Sequence, residues 1–230
     1  MIVRRPHLPG GKKIPAFCAS QRILLEAVAR ADPGAVVVSE EDSHSHTRTA
    51  QTVRFCDSLD GTRRYLAGSP DFAILLSACT DGTPVYSIAY FPATDILADA
   101  DSTTLTIRRR APAPERIGVH ACYGDPPGLR AALDPDTAYL VDHYESTRAL
   151  VDVALGDALA AVVTLCGHYA WDLAAPIHLI NAAGGIVTDQ DGQPIPLRSP
   201  HVHAEYVVLA TMDRELHRNL LHALMTGGPR

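Results

Sequence analysis

The first half of the chain alternates short apolar runs with polar breaks. Apolar side chains at helical spacing over residues 18–31 predict a helix, with Ser20 as the N-cap candidate and Pro33-Gly34 as the stop. Residues 1–15 predict an irregular arm, and the polar residues 43–50 predict a mobile loop. The apolar, partly β-branched runs predict strands at 35–38, 53–56, 72–79, 85–90, 96–99 and 103–108.

The second half mixes strands and helices more evenly. Predicted strands lie at 117–121, 138–141, 160–164, 186–188 and 206–210, and predicted helices at 127–133, 146–158, 172–183 and 212–225. The Ala-Pro-Ala-Pro run at 111–114 predicts a boundary between an N-terminal α+β subdomain (1–113) and a C-terminal α/β subdomain (114–230) of one compact catalytic unit. Such a mixture is typical of a layered α/β or α+β fold.

Composition narrows the function classes. The 230 residues are 47% hydrophobic and 20% charged, and the net charge of −6 offers no basic field for nucleic acid. No run is apolar enough for a membrane span or a signal peptide. The cysteines at 18, 56, 79, 122 and 166 form no Cys-x-x-Cys pair, which argues against a disulfide framework or a zinc site. We therefore expect a cytoplasmic protein.

The segment Cys-Asp-Ser-Leu-Asp-Gly-Thr at 56–62 concentrates the candidate chemistry. Asp57 and Asp60 offer the oxygen ligands that hard divalent cations prefer. Backbone N–H groups at the Gly61-Thr62 step suit phosphate oxygens. Both features indicate metal-assisted phosphoryl chemistry. Because Asp, Ser and Gly also favour turns, this segment alone leaves a plain surface turn open.

Two further acidic segments accompany this one in a fixed order. Glu40-Glu41 follows the 35–38 run, and Trp171-Asp172 opens the 172–183 helix. Ala183-Gly184-Gly185 and Thr188-Asp189-Gln190-Asp191-Gly192 come next. In this order the motifs resemble those of the inositol monophosphatase family, which comprises Mg²⁺-dependent, lithium-sensitive phosphomonoesterases, and the resemblance covers roughly residues 18–225.

The resemblance implies a fold, a metal site and partners. The fold would be a layered α/β/α/β/α sandwich, shared with fructose-1,6-bisphosphatases, and the protein a homodimer. Two or more Mg²⁺ ions would bind, the first to Glu40, Asp57 and the Leu59 carbonyl. Asp57 would bridge to a second ion that Asp60 and Asp172 also hold.

The resemblance also implies catalytic roles. Gly61 and Thr62 would bind the phosphate of a small phosphorylated substrate, and the Thr62 hydroxyl would orient the attacking water. The family's acidic partner of that threonine is missing near residues 17–20, where this chain reads Phe-Cys-Ala-Ser. Glu41 is the nearest substitute in the sequence; attack without that base, or weak activity, are the alternatives.

Substrate residues depart from the family as well. Leu165 stands where inositol-specific members carry a glutamate that accepts substrate hydroxyls. Arg63 follows the Gly-Thr step, and a basic residue at this place resembles the histidinol-phosphate and 3′-phosphoadenosine 5′-phosphate phosphatases. We expect Arg63 and His168 to contact the substrate. The alternatives are a solvated surface charge for Arg63 and a structural role for His168.

These observations predict a Mg²⁺-dependent phosphatase for a nucleotide or sugar monophosphate. Histidinol phosphate, 3′-phosphoadenosine 5′-phosphate and inositol phosphate are alternative substrates. The alternative from another class is a phospholigand-binding or regulatory protein with little turnover.

Overall fold

A computed structural model describes residues 3–4, 15–112, 118–166, 169–197 and 207–226. The helices within these residues are α1 (Pro15–Ala31), α2 (Thr62–Leu66), α3 (Ser146–Leu155), α4 (Ala170–Ala182) and α5 (Arg214–Thr226). The strands are β1 (Val3–Arg4), β2 (Val36–Ser39), β3 (Thr52–Asp60), β4 (Ala73–Thr80), β5 (Thr83–Phe91), β6 (Ile96–Ala100), β7 (Leu105–Arg109), β8 (Val119–Cys122), β9 (Tyr139–Val141), β10 (Ala160–Val163), β11 (Leu165–Cys166), β12 (Ile186–Thr188) and β13 (Val208–Thr211).

The N-terminal half of the chain builds a six-stranded sheet in the order β2-β3-β4-β5-β6-β7. β2 runs parallel to β3, and every later neighbour is antiparallel. Along β4, burial alternates from one residue to the next, so Ala73, Leu75 and Cys79 face the core. This period of two is what places one face of a strand against a packed layer.

The C-terminal half builds a five-stranded sheet in the order β12-β13-β10-β8-β9. β8 is parallel to both β9 and β10, whereas β13 is antiparallel to β10. All four residues of β10 are buried, which is typical of a central strand covered on both faces.

Helices separate and cover the two sheets. α1 contacts β3, α3 and α4 lie together between the sheets, and α5 packs on β13. Residues 170–180 of α4 are all buried, because this helix contacts β4 and β5 of one sheet and α3 on its other side. The predicted α/β/α/β/α order is therefore confirmed.

Several local predictions were wrong. α1 begins at Pro15, so Ser20 lies inside the helix instead of capping it, and its hydroxyl donates to the Ser58 carbonyl at 2.8 Å. β3 continues through Asp60 and does not end before Asp57. The predicted loop 43–50 includes a 3₁₀ helix, Ser43–Thr47, in which Ser45 is buried. Within the arm, Val3–Arg4 pairs in parallel with β11.

The predicted subdomain boundary at residues 113 and 114 lies outside the described residues and stays a prediction. Within the part of the chain that the structure describes, no helix combines the length and the apolarity that crossing a membrane requires.

Candidate metal and substrate site

Three carboxylates from distant parts of the chain meet in the structure. Asp57 and Asp60 lie on β3, and Asp172 lies in the first turn of α4. Each contributes an oxygen to a group whose members are all within 4.8 Å of one another. They are 1%, 4% and 4% exposed, respectively, so the cluster is buried.

A β-bulge in β3 puts the two aspartates of that strand together. Side chains three residues apart on a regular strand point to opposite faces. Here Asp57 pairs with Leu75 and Asp60 with Ala73, so three steps on β3 match two steps on β4. The extra residue restores a shared face, as bulges do near active sites. The Leu59 N–H donates to Asp57 Oδ1 at 2.9 Å and fixes that carboxylate.

The N-terminal turn of α4 positions the third carboxylate. The backbone N–H of Tyr169, the N-cap residue, donates to Asp172 Oδ2 at 3.0 Å. Trp171 beside it is 2% exposed and stacks on the Tyr169 ring, with centroids 4.4 Å apart. The backbone donor holds the Asp172 carboxylate, and the ring stack packs the same turn of the chain.

The electrostatics of this cluster fit a cation. Burial raises the pKa of Asp57 well above its ordinary value, and the charges of Glu40, Asp60 and Asp172 raise it further. Glu40, which follows β2, is therefore close enough to Asp57 to repel it, although it is outside the 4.8 Å group. Several buried oxygen donors that repel one another match the chemistry of a Mg²⁺ site, because the ion offsets their repulsion.

The Gly61-Thr62 step follows the cluster directly. Gly61 has φ +76°, and a Cβ there would come within 2.9 Å of the Asp71 carbonyl oxygen, so only glycine fits without strain. Thr62 opens the single turn of α2, and its hydroxyl donates to the Leu59 carbonyl at 3.3 Å. Leu59 and Thr62 thus lie together at the end of β3, beside the aspartates.

The other predicted site residues lie at different places. Glu41 is half-buried and follows Glu40, outside the 4.8 Å group. Arg63 is exposed and lines a pocket beside the Gly61-Thr62 step. His168 lies outside the described residues, so its predicted substrate contact stays a prediction.

Sequence reasoning missed the opposite wall of that pocket. Tyr123 follows β8 and Asp142 follows β9, and these parallel strands end at the same edge of the C-terminal sheet. Glu145, the N-cap residue of α3, completes the wall. The position of these residues just after predicted strands could have indicated the pocket, since ligands of open α/β sheets bind at the carboxyl ends of parallel strands.

Tyr123 and Glu145 lie close to the carboxylate cluster. The Tyr123 hydroxyl donates to Glu145 Oε1. Burial raises the pKa of Tyr123 above its ordinary value, and the negative charges of Glu145 and Asp60 raise it further. Glu145 Cγ lies 3.4 Å from the point where a Cβ on Gly61 would stand. The pocket therefore adjoins the Gly61-Thr62 step, which directly follows the carboxylates of β3.

Comparisons with curated proteins bear on this site. The chain is 34% identical over 174 residues to the probable inositol 1-monophosphatase ImpA of Mycobacterium tuberculosis, a match that covers 65% of this chain and 64% of that protein. It thus spans slightly less than two thirds of ImpA. It is 30% identical over 207 residues to SuhB of Neisseria meningitidis, covering 84% of this chain and 79% of that protein.

Solved structures share the fold. SuhB of Bartonella henselae superposes with a TM-score of 0.75 at 23% identity, covering 96% of this chain and 90% of the other. An inositol monophosphatase and NADP phosphatase solved with Mg²⁺ and phosphate gives a TM-score of 0.72 at 18% identity, covering 93% and 82% of the two chains. The profile of the inositol monophosphatase family matches residues 16–226, and the chain belongs to that family.

Proposed function

We propose that the protein is a Mg²⁺-dependent phosphatase that hydrolyses a small phosphate monoester, a sugar or nucleotide monophosphate. The observation that carries the proposal is the buried group of Asp57, Asp60 and Asp172 beside the Gly61-Thr62 step. Membership of the inositol monophosphatase family supports it. Phosphoryl transfer needs mainly positioning and charge neutralisation, which this arrangement offers.

The chain's own residues divide the work. Glu40, Asp57, Asp60, Asp172 and the Leu59 carbonyl hold two or more Mg²⁺ ions. When bound, these ions neutralise phosphate charge and lower the pKa of a coordinated water.

Three further roles complete the proposed mechanism. The backbone N–H groups of Gly61 and Thr62 bind phosphate oxygens. The Thr62 hydroxyl orients the attacking water, and Glu41 accepts its proton. Arg63 and His168 contact the rest of the substrate, and the protein is a homodimer.

A substrate panel tests this proposal. Phosphate release is measured with and without Mg²⁺ from sugar and nucleotide monophosphates, inositol 1-phosphate, histidinol phosphate and 3′-phosphoadenosine 5′-phosphate. We expect Mg²⁺-dependent release from at least one sugar or nucleotide ester. No release from any ester would contradict the proposed activity.

The role of Glu41 has its own test. Removing a general base typically lowers turnover by about 10²- to 10⁴-fold. We expect Glu41→Gln to lower kcat within that range, measured at saturating Mg²⁺ so that weaker metal binding does not contribute. Glu26→Gln, on the exposed face of α1, is the control. A loss smaller than about threefold would remove Glu41 from the mechanism.

A second candidate function is regulatory, with little turnover. The observation that favours it is the match to SuhB of Neisseria meningitidis, which is described as a putative Nus factor. Such a role requires a macromolecular partner, whereas the phosphatase role requires only the small ester. A protein that binds phosphate esters in Mg²⁺ without releasing phosphate would support this second candidate.

A further inference from the structure

The 3₁₀ helix Ser43–Thr47 folds back onto the end of β2, immediately before Glu40. The Ser39 backbone N–H donates to the Ser45 hydroxyl at 2.9 Å, and that hydroxyl donates to the Asp42 carbonyl at 2.6 Å. Both serines are buried. This short helix contains no apolar residue, so hydrogen bonds hold it against the segment that leads into Glu40.

His46 connects this 3₁₀ helix to two parts of the metal site. Its Nε2 lies 2.9 Å from the Ser39 carbonyl oxygen, and because a carbonyl oxygen only accepts, Nε2 carries the proton and donates. The same ring packs on the Trp171 indole, with centroids 4.8 Å apart and 32° between the planes. Ser39 precedes Glu40, and Trp171 precedes Asp172. One side chain thus contacts the residue before each of two predicted metal ligands.

Ring contacts hold the Trp171 side chain. Its indole N–H is buried and has no hydrogen-bond partner among the described residues. The Tyr169 ring stacks on the indole with 7° between the planes, and the His46 ring contacts it as well. The Tyr169 N–H in turn donates to the Asp172 carboxylate. A change in the His46 ring should therefore reach the turn that carries Asp172.

The Glu40 end of this connection is tied to β3. The Glu40 N–H donates to the Cys56 carbonyl at 3.2 Å, and Ser39 pairs with Cys56 between the parallel strands β2 and β3. Cys56 directly precedes Asp57. The Ser39 carbonyl that His46 holds is therefore part of the segment that sets Glu40 relative to Asp57.

We propose that His46 is a positioning residue for the metal site. It joins the Ser39-Glu40 segment to the Trp171-Asp172 turn, so that ligands from β2 and α4 close on a Mg²⁺ ion together. The inference rests on the proposed phosphatase function, from which the metal site comes. It adds a residue outside the motifs that carry the family resemblance.

A Mg²⁺ titration followed by tryptophan emission tests the inference without turnover. Trp171 is the single tryptophan of the chain and is next to Asp172, so its emission reports on that turn. Residues that orient metal ligands are typically worth about 10- to 100-fold in metal affinity. Because His46 acts through the neighbours of two ligands, we expect His46→Ala to raise the Mg²⁺ concentration at the midpoint by about tenfold. His44→Ala, in the same 3₁₀ helix but with an exposed side chain, should keep the wild-type midpoint.

Two conservative variants separate the two contacts of His46. His46→Phe keeps a ring against Trp171 but cannot donate, whereas His46→Gln keeps an amide N–H near the place of Nε2 and loses the ring. Each should recover part of the Mg²⁺ affinity that His46→Ala loses. A purely structural role would lower the free energy of unfolding, measured in urea with a chelator, and leave the midpoint of the folded protein unchanged.

The outcomes separate this inference from the function on which it rests. Where emission does not respond to Mg²⁺, the midpoint is read from phosphate release. A wild-type midpoint in folded His46→Ala would overturn the inference and leave the phosphatase function standing. If His46→Ala does not fold, wild-type midpoints in both His46→Phe and His46→Gln would overturn it. A raised midpoint in a protein that releases phosphate from no ester would support the inference and contradict the phosphatase function. Emission and phosphate release that are both independent of Mg²⁺ would overturn both.

Discussion

Two groups of buried carboxylates in this protein have opposite arrangements. Asp57, Asp60 and Asp172 face one another around the bulge of β3. Asp152 and Asp157, at α3 and just beyond it, each face an arginine instead: Arg148 Nε lies 2.7 Å from Asp152, and Arg109 Nη1 lies 3.0 Å from Asp157. The second group is neutralised by the chain itself, whereas the first fits a cation from outside.

The difference indicates which buried charges the fold requires to stay paired and which are available for chemistry. A buried ion pair contributes little net stability, but breaking it leaves an unpaired charge at high cost. A group of like charges costs stability from the start and is retained at functional sites. Even in the paired group the effect of burial exceeds that of the arginine, since burial raises the pKa of Asp152 to about 6 although Arg148 lowers it.

The largest expected effect is on turnover. Asp60→Asn removes one charge from the cluster and keeps the shape, so metal and phosphate would be held poorly in the transition state. We expect kcat/KM to fall by at least about 10³-fold, or about 4 kcal/mol. Circular dichroism checks that the fold is intact. A loss smaller than about tenfold would mean that Asp60 is no part of the metal site.

The next effect is on stability, and it should differ between the paired group and the cluster. Asp157→Asn leaves the Arg109 guanidinium, 15% exposed, without its carboxylate, so we expect the free energy of unfolding to fall by about 3 kcal/mol. Asp57→Asn, measured in a chelator, should not lower it, because that change removes a like charge from the cluster. Urea unfolding of both variants gives the comparison. Equal destabilisation by the two changes would refute the distinction between the groups.

A third kind of buried titratable group sharpens the contrast further. His120 on β8 is 1% exposed, and neither ring nitrogen has a hydrogen-bond partner among the described residues. Burial, followed by the charges of His143 and Arg148, lowers its pKa from 6.5 to about 4. The unfolded chain therefore binds a proton between these pH values that the folded chain does not, and stability falls as the pH falls.

The expected loss for His120 is about 3 kcal/mol between pH 6.5 and 4, from 1.4 kcal/mol per pH unit. His120→Phe keeps the ring contact with Tyr144, 5.0 Å between centroids, and should flatten this part of the stability profile. His222→Phe, on the exposed side of α5, should leave the profile as in wild type. Parallel profiles for wild type and His120→Phe would show that another group controls acid stability.

The sequence singled out the three carboxylates that the structure brings together, and it missed the pocket residues, for a physical reason. Asp57, Asp60 and Asp172 belong to short local motifs whose chemistry is visible before folding. Periodicity predicted the strands and helices of a layered α/β or α+β fold, whereas the order of the layers came from the resemblance to the family. Tyr123 and Glu145 carry no local motif, and they meet only because β8, β9 and α3 end at one edge of a sheet. Long-range placement of this kind is absent from a single sequence.

The bulge at β3 illustrates the same limit. Nothing in the order Asp-Ser-Leu-Asp fixes whether the strand ends before it or continues through it. The structure resolves this through contacts from α1, where Ser20 holds the Ser58 carbonyl and the Gln21 amide oxygen accepts from the Ser39 hydroxyl at 2.8 Å. The helix that the sequence predicted with a cap at Ser20 thus uses that serine to support the metal-site strand.

The smallest expected effect tests this support. Ser20→Ala removes one hydrogen bond to the bulge, worth about 1 kcal/mol, without touching a predicted ligand. Outer partners of metal sites typically change metal affinity by about 10- to 100-fold, and Ser20 acts one step further out, so we expect about a threefold to tenfold rise in the Mg²⁺ concentration for half-maximal activity. kcat at saturating Mg²⁺ should change little. Ser102→Ala, in an exposed turn, is the control. A fall in kcat with no change in Mg²⁺ dependence would mean that Ser20 acts on the fold as a whole and not on the bulge of β3. A bulge that has lost its contact with α1 should first bind Mg²⁺ more weakly.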